Sequence, residues 1–256
     1  MTSVLDLKKI ASELRKELVV KHAETKMAHI GSGLSCLDVM IALFFDILDL
    51  KKDHFILSKG HAALGLYAIL HKKGVINDDI YATLGKNGSV LGEHPIYGVN
   101  GVEVATGSLG HGLSIGSGMA LANKLDGKDG RIYVLLSDGE CQEGSTLEAM
   151  NFIARLKLNN LVAIVDSNTW QAFDRTLIPI DQVKKEFLSF GWEVTDIDGH
   201  DYNQICKSLA NSSNTPLLIV ANTTLGKGIK QIEDTLEAHY KPPEERQIGD
   251  FIAGIE

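Results

Sequence analysis

The segment Val134–Asn168, VLLSDGECQEGSTLEAMNFIARLKLNNLVAIVDSN, constrains the fold more than any other part of the chain. The continuous apolar run at Ile132–Leu136 predicts a strand buried on both faces, and a second run predicts another strand at Leu161–Val165. The spacing of apolar residues from Glu143 to Leu156 predicts a helix between them. We therefore expect a βαβ unit whose strands are parallel neighbours, joined by a right-handed crossover.

The same alternation of strands and helices continues through the chain. Further strands are predicted at Phe55–Leu57, Trp192–Ile197 and Leu217–Val220. Further helices are predicted at Val4–His22, from a Ser35 cap to Leu48, His61–His71, Asp78–Leu84, Leu113–Leu125, Asp181–Ser189 and Tyr202–Ala210. A glycine-rich loop is predicted at Lys26–Gly33, a long irregular segment at Gly85–Gly107 and an ordered loop at Thr169–Ile180. The tail from Thr223 to Glu256 is Gly-rich and then polar, with Pro242-Pro243 as a breaker. The expected fold class is α/β, a doubly wound, mostly parallel sheet of about five strands with helices on both faces, and residues 1–256 are expected to form one domain.

Within the central helix, the spacing predicts a buried face that includes Leu147, Met150 and Ala154, with Ile153 beside them.

Two polar residues follow the central strands. Asp138 and Asn168 each come just past the carboxyl end of a predicted strand, and ligands bind at that edge of open α/β sheets. A carboxylate and an amide oxygen placed together suit Mg²⁺, which takes few protein ligands and adds phosphate oxygens and water. Each residue alone has a plainer explanation, because Asp-Gly is a common turn and Asn a common cap.

Composition excludes several classes of function. The 256 residues are 44% hydrophobic and 23% charged, as in ordinary globular proteins, and the net charge of −8 argues against a nucleic-acid surface. The sequence has no apolar run of the length needed to span a bilayer, and its amphipathic N-terminal pattern predicts a helix of the domain rather than a signal peptide. The three scattered cysteines, Cys36, Cys141 and Cys206, form neither a disulfide framework nor a metal motif, which predicts a cytoplasmic protein.

The segment SDGECQEG, followed by VDSN some thirty residues later, resembles the thiamine-diphosphate signature of transketolases, in which Ser137 replaces a glycine. The resemblance implies that thiamine diphosphate is the cofactor, and that its diphosphate is held through Mg²⁺, or through Ca²⁺ or Mn²⁺ as a substitute. It also implies that Asp138, Asn168 and the backbone carbonyl of Trp170 hold the metal, with Gly139 beside the diphosphate.

Other segments resemble the same family. They are KMAHIGSGLS, FILSKGHAALGLYAIL, GEHP and GVEVATGSLGHGLSIGSGMALA. The resemblance implies catalytic roles for His29, His61, His94, Glu143 and His239. It implies cofactor contacts for Ser32, His61, Gly107, Ser108, Leu109 and His239. Histidine suits this chemistry because its pKa lies near neutrality, so it can donate protons to sugar hydroxyls or accept protons from them.

The resemblance covers only the first of the three domains that transketolases usually have. It implies a partner, a C-terminal transketolase subunit that carries the pyrimidine-binding domain, in an α2β2 assembly acting on sugar phosphates. A fragment of a longer chain is the other explanation. Four positions depart from the family pattern, at His111, Leu225, Ala238 and Tyr240. We expect Ala238 to open space near the substrate and Tyr240 to fill it.

Three other functions remain open on the sequence. A 1-deoxyxylulose-5-phosphate synthase or a 2-oxoacid dehydrogenase α-subunit would share the metal motif, although SKGH, GEHP and the QEG segment together favour transketolase. A non-catalytic thiamine-diphosphate-binding subunit that regulates a partner is the third.

Overall fold

A five-stranded parallel sheet forms the centre of the computed structural model, which describes residues 2–255. In chain order the strands are β1 (His54–Leu57), β2 (Ile132–Ser137), β3 (Leu161–Ser167), the short hairpin β4 (Trp170–Gln171) and β5 (Asp174–Arg175), β6 (Glu193–Asp198) and β7 (Leu217–Asn222). The sheet order is β1-β2-β3-β7-β6, with every pairing parallel, and the antiparallel hairpin lies apart from it. The predicted fold class is confirmed.

The helices have the following bounds. They are α1 (Val4–Thr25), α2 (Ile30–Ser35), α3 (Leu37–Ala42), α4 (Ala63–Lys72), α5 (Asp78–Tyr81), α6 (Gly112–Leu125), α7 (Gly144–Arg155), α8 (Ile180–Ser189), α9 (Tyr202–Ala210), α10 (Glu237–Tyr240) and α11 (Ile248–Ala253). A π-helical turn, Leu43–Ile47, continues α3, and short 3₁₀ turns cover Gly60–Ala62, Gly139–Gln142 and Glu245–Gln247.

The strand residues alternate between two apolar cores. In β2, Tyr133 and Leu135 pack into the core beneath α1, α3, α4 and α9, whereas Val134 and Leu136 pack into the core beneath α6, α7 and α8. Side chains on successive strand residues point to opposite faces, so a strand covered on both sides reads as a continuous apolar run. Full burial of one such side chain contributes roughly 1.5–3 kcal/mol to the free energy of unfolding. The two cores therefore hold the ends of the strands in register.

Some predictions about the elements are wrong. The predicted loop Lys26–Gly33 ends early, because α2 begins at Ile30. The predicted second helix is present from Leu37 through the π-helical turn to Ile47, but Ser35 ends α2 and does not cap it, and the Ser35 hydroxyl is buried and donates to Asp166 at 2.6 Å. Leu147 is 39% exposed, since the buried face of α7 consists of Thr146, Ala149, Met150 and Ile153. The tail after Thr223, for which the sequence predicts no helix, contains α10 and α11, and Phe251 of α11 packs into the core beneath α1.

Among the helices that the structure describes, none has both the length and the apolar character needed to cross a lipid bilayer.

Candidate active site

The two predicted metal ligands meet at the carboxyl edge of the sheet. Asp138 and Asn168 follow the paired strands β2 and β3, and they are 3% and 5% exposed. Asp138 accepts hydrogen bonds from the backbone N–H of Gly139 at 2.8 Å and of Thr169 at 2.6 Å. Asn168 Oδ1 accepts one from the backbone N–H of Trp170 at 3.0 Å. The turn after β3 is therefore bound to the carboxylate that follows β2.

This arrangement fits a hard cation that shares its coordination with phosphate. The predicted set comprises one carboxylate, one amide and one backbone carbonyl, all oxygen donors of the kind Mg²⁺ prefers. Burial, and next the charge of Asp166, raises the pKa of Asp138 to about 7. A bound cation would offset both effects. In the described part of the chain, no group of three or more His, Cys, Asp or Glu residues has metal-binding geometry, so a site made only of such side chains is not present there.

A buried ion pair lies next to the predicted metal ligands and is bonded to one of them. Lys59 and Asp166 have no exposed side-chain surface, and the Lys59 ammonium donates to the Asp166 carboxylate and to the Ser32 carbonyl, the latter at 3.2 Å. Asp166 also accepts from Asn168 Nδ2 at 3.0 Å, which fixes the orientation of the Asn168 amide. Burial opposes the charge on Lys59, but Asp166 more than offsets it, so the pKa of Lys59 lies above its ordinary value.

Replacing Lys59 by methionine should destabilise the chain strongly. The variant removes one partner of a buried pair and leaves the Asp166 carboxylate without a compensating charge, a change that costs about 3–5 kcal/mol. Urea denaturation followed by circular dichroism measures the free energy of unfolding. The matched control is Lys241→Met, which breaks an exposed pair with Glu237 and should change little. An unfolding free energy for Lys59→Met close to that of the control would contradict the role of the pair.

Three of the predicted histidines form one cluster. The ring centroids of His29 and His61 lie 5.2 Å apart, those of His29 and His239 5.3 Å apart, and those of His61 and His239 5.9 Å apart. The Nδ1 atoms of His29 and His239 are buried without a hydrogen-bond partner. Burial lowers the pKa of all three rings, that of His239 to about 4. The rings are therefore neutral near pH 7, with nitrogen atoms free for a ligand.

The backbone around the cluster is closely packed. His29 precedes α2 with φ +66°, a left-handed conformation that is uncommon for a residue other than glycine. Gly31 permits this approach, since a Cβ there would lie 2.7 Å from the Cβ of Ala238. Ala238 is 1% exposed and packs against α2, so the expectation that it opens space for substrate is wrong.

A turn that contains Gly107 and Gly110 forms another wall of the site. Gly107 has φ +144°, and a Cβ there would lie 3.0 Å from the His94 ring. Gly110 has φ +81°, and its N–H donates to Glu140 Oε1 at 2.8 Å. Glu140 is fully buried and also accepts from the Ser58 hydroxyl. The carboxylate of Glu140 thus ties the turn to the end of β1.

These walls enclose a cavity of about 470 Å³. The predicted residues that line it are His29, Ser32, His61, His94, Gly107, Leu109, Gly139, Glu143, Asn168, Trp170 and His239. Two others lie outside the lining: Asp138 is buried next to it, and Ser108 is exposed to solvent. Glu143, at the start of α7, is exposed at the rim.

A larger cavity, of about 700 Å³, carries none of the predicted residues. Its buried carboxylate, Asp38, already accepts from Arg15 at 2.5 Å, His200 at 2.8 Å and Tyr202 at 2.8 Å. Burial opposes the charge on Asp38, but His200 and Arg15 more than offset it and lower the pKa of Asp38 to about 2. We therefore assign the chemistry to the smaller cavity.

The sequence interpretation missed the supporting residues Lys59, Glu93, Glu140 and Asp166. Lys59 and Asp166 lie within the family-like motifs, and a charged residue at the end of an apolar strand is the signal that could have found them. Glu93 and Glu140 also lie within such motifs, in GEHP and SDGECQEG, but neither ends an apolar strand, and their contacts to Ala28, Ser58 and Gly110 are far away in sequence.

Comparison with known proteins decides the family. Residues 8–251 match the family model described as "Transketolase, thiamine diphosphate binding domain". The chain belongs to the transketolase family. The resemblance stated from the sequence is thereby confirmed, and residues 8–251 form a thiamine-diphosphate-binding domain of the transketolase type.

Several transketolase relatives have about the length of this chain. One subunit of the apulose-4-phosphate transketolase of Phocaeicola vulgatus is 40% identical in a gapped alignment of 254 positions, which covers 94% of this chain and 90% of the relative. The 6-deoxy-6-sulfo-D-fructose transketolase subunit SqwG of a Clostridium species is 32% identical in a gapped alignment of 266 positions, which covers 98% of this chain and 97% of the relative.

Other transketolases are much longer. Human transketolase is 37% identical in a gapped alignment of 247 positions, which covers 92% of this chain but 40% of the human protein. The crystal structure of Campylobacter jejuni transketolase superposes with a TM-score of 0.89 and 31% identity, covering 98% of this chain and 43% of that chain. The chain therefore corresponds to less than half of such transketolases.

Proposed function

We propose that this chain is the diphosphate-binding subunit of a two-chain transketolase, dependent on thiamine diphosphate and Mg²⁺. It transfers a two-carbon ketol unit from a ketose phosphate to an aldose, and residues 1–256 act as one cofactor-binding domain. The observation that carries the proposal is the cavity in which Asn168, the Gly107 turn and the histidine cluster meet. Relatives of the same length that are named as transketolase subunits support it.

The cofactor is held by its diphosphate end. Asp138, Asn168 and the Trp170 carbonyl hold Mg²⁺, for which Ca²⁺ or Mn²⁺ can substitute, while Gly107, Leu109 and Gly139 bring backbone close to the phosphates. When bound, thiamine diphosphate supplies the thiazolium that stabilises the carbanion produced by carbon–carbon bond cleavage. Ser32 and His61 orient this end of the cofactor, and Ser108 contributes backbone only.

The remaining groups move protons and orient the sugar. His29 and His239 present buried, unpartnered Nδ1 atoms, and neutral imidazoles accept a proton from a hydroxyl and return it to an oxyanion. His94 lies against the Gly107 turn, where it contacts a substrate hydroxyl. Glu143 lies at the exposed rim, where a carboxylate of the partner chain approaches it.

The partner is a C-terminal transketolase subunit with the pyrimidine-binding domain, and the assembly is α2β2 in the cytoplasm. The exposed side of α7 supports a docked chain, because Leu147 and Phe152, at its two flanks, are 39% and 43% exposed. Large apolar side chains exposed together on one helix are typical of interaction surfaces. This face begins at Glu143, so a chain docked there would reach the rim of the cavity.

The substrate is a modified ketose phosphate or sulfonate rather than the standard pentose phosphates. Tyr240 stands at the cavity rim, 38% exposed, with its ring centroid 6.2 Å from that of Phe173. A hydroxyl at this position discriminates between sugars that can and cannot bond to it. The relatives named for apulose 4-phosphate and 6-deoxy-6-sulfofructose support such a substrate class.

Ketol transfer by the assembled complex tests the proposal. The panel of donors contains apulose 4-phosphate, 6-deoxy-6-sulfofructose, xylulose 5-phosphate and fructose 6-phosphate, with glyceraldehyde 3-phosphate and ribose 5-phosphate as acceptors. We expect kcat/KM for the best modified donor to exceed that for xylulose 5-phosphate by about tenfold or more. A clear preference for xylulose 5-phosphate with ribose 5-phosphate would contradict the substrate class, and no transfer with any pair would contradict the function.

A further inference from the structure

Glu93 lies next to the chain segment that carries His29, one member of the histidine cluster. It precedes His94 in the irregular segment between α5 and α6, and its side chain is partly buried. Its Oε1 accepts a hydrogen bond from the backbone N–H of Ala28 at 3.0 Å. Ala28 is the residue before His29, whose backbone is left-handed. The carboxylate of Glu93 therefore fixes the turn that presents the His29 ring to the cavity.

Several charged and titratable groups face His29. They are His22 at the end of α1, Lys59 and His61 after β1, Glu93 and His94 in the irregular segment, and His239 in α10. Of these, Glu93 alone carries negative charge. Burial lowers the pKa of His29, and Glu93 opposes that effect, as it does for His22.

Glu93 is not among the residues that line the cavity, and its Oε1 accepts a hydrogen bond from the Ala28 N–H. We propose that Glu93 is a positioning residue for His29: its carboxylate holds the Ala28–His29 turn and balances the charge of the histidine cluster during proton transfer. This role rests on the proposed function of His29 in ketol transfer. It explains why a residue with an uncommon backbone conformation is held firmly beside two other histidines.

The variant Glu93→Gln separates charge from geometry, because the amide keeps an acceptor oxygen for the Ala28 N–H. In the assembled complex, we expect kcat/KM at neutral pH to fall about tenfold, as when an outer residue that orients a functional group is changed. The limb of the pH–rate profile that belongs to His29 should move to lower pH, since loss of the negative charge favours the neutral ring. Glu93→Asp keeps the charge and should keep that limb in place.

The matched control is Glu103→Gln. Glu103 lies in the same irregular segment and also bonds to a histidine, His54 Nδ1, at 2.9 Å. His54 begins β1, at the edge of the sheet away from the cavity. The control should leave both the rate and the profile unchanged. An equal shift of the profile in both variants would overturn the specific role of Glu93.

A second readout does not depend on activity. Nuclear magnetic resonance of histidine-labelled isolated chain follows the titration of His29, assigned by comparison with His29→Asn. We expect Glu93→Gln to lower the pKa of His29. An unchanged pKa would overturn the proposal even if the rate fell. If the wild-type complex shows no ketol transfer while the titration still shifts, the proposed function fails and the coupling of Glu93 to His29 stands.

Discussion

Asp138→Ala should abolish measurable Mg²⁺-dependent binding of thiamine diphosphate in the assembled complex. Asp138 is the one carboxylate in the proposed metal site, and without it the cation keeps only neutral oxygen donors. Changes to outer residues around metal sites already weaken affinity by about 10–100-fold, so loss of a charged ligand should cost at least about 100-fold. Calorimetric titration of cofactor into the complex at fixed Mg²⁺ measures this. Asn168→Ala should weaken binding by a smaller factor.

Two further variants separate metal binding from folding. Gly139 N–H donates to one carboxylate oxygen of Asp138 and Thr169 N–H to the other, so Asp138→Asn keeps one of these two acceptors and lacks the buried charge. Because the pKa of Asp138 in the folded chain is raised to about 7, its ionised form opposes folding increasingly as pH rises from about 4 to 7. At pH 8 the free Asp138→Asn chain should therefore be at least as heat-stable as wild type, yet bind cofactor poorly.

Asp198→Ala is the matched control for these variants. Asp198 ends β6 at the same edge of the sheet but is exposed. Cofactor affinity should be unchanged in this control. Unaltered affinity in Asp138→Ala would remove the metal assignment.

Much of the sheet could be predicted because its strands are buried on both faces. The runs that form β1, β2, β3 and β7 read as continuous apolar segments, and the polar residues after β2 and β3 mark the ligand edge. The register of β2 with β3, in which Ser137 pairs with Asp166, then brings Asp138 and Asn168 to the same edge of the sheet, as expected of parallel neighbours.

Other features depend on contacts between distant segments, which local spacing does not contain. Ser35 would be a reasonable helix cap, but its hydroxyl is bonded to Asp166, 131 residues away. Leu147 fits an apolar stripe in the sequence. The rotation of α7 about its axis, however, is fixed by Thr146, whose hydroxyl donates to the Glu140 carbonyl at 3.1 Å. The histidine cluster can be predicted residue by residue from family motifs, whereas its geometry depends on the tail helix α10 packing against α2.

The isolated chain should show no ketol transfer. Its cavity is open on the side of Glu143, and the described residues provide the diphosphate end of the proposed site without a pyrimidine-binding domain. General acid–base groups act only on a cofactor held in the right geometry, so half a site should give no detectable turnover rather than a reduced rate. Addition of the C-terminal transketolase subunit should restore activity.

The most direct measurement is ketol transfer by three samples under the same conditions: this chain alone, its C-terminal partner alone, and the two mixed, each with thiamine diphosphate and Mg²⁺. The mixture should turn over the preferred sugar while neither chain does so alone, and activity should saturate at equal amounts of the two chains. Full turnover by this chain alone, or by the partner without it, would contradict its role as the diphosphate-binding half of the enzyme.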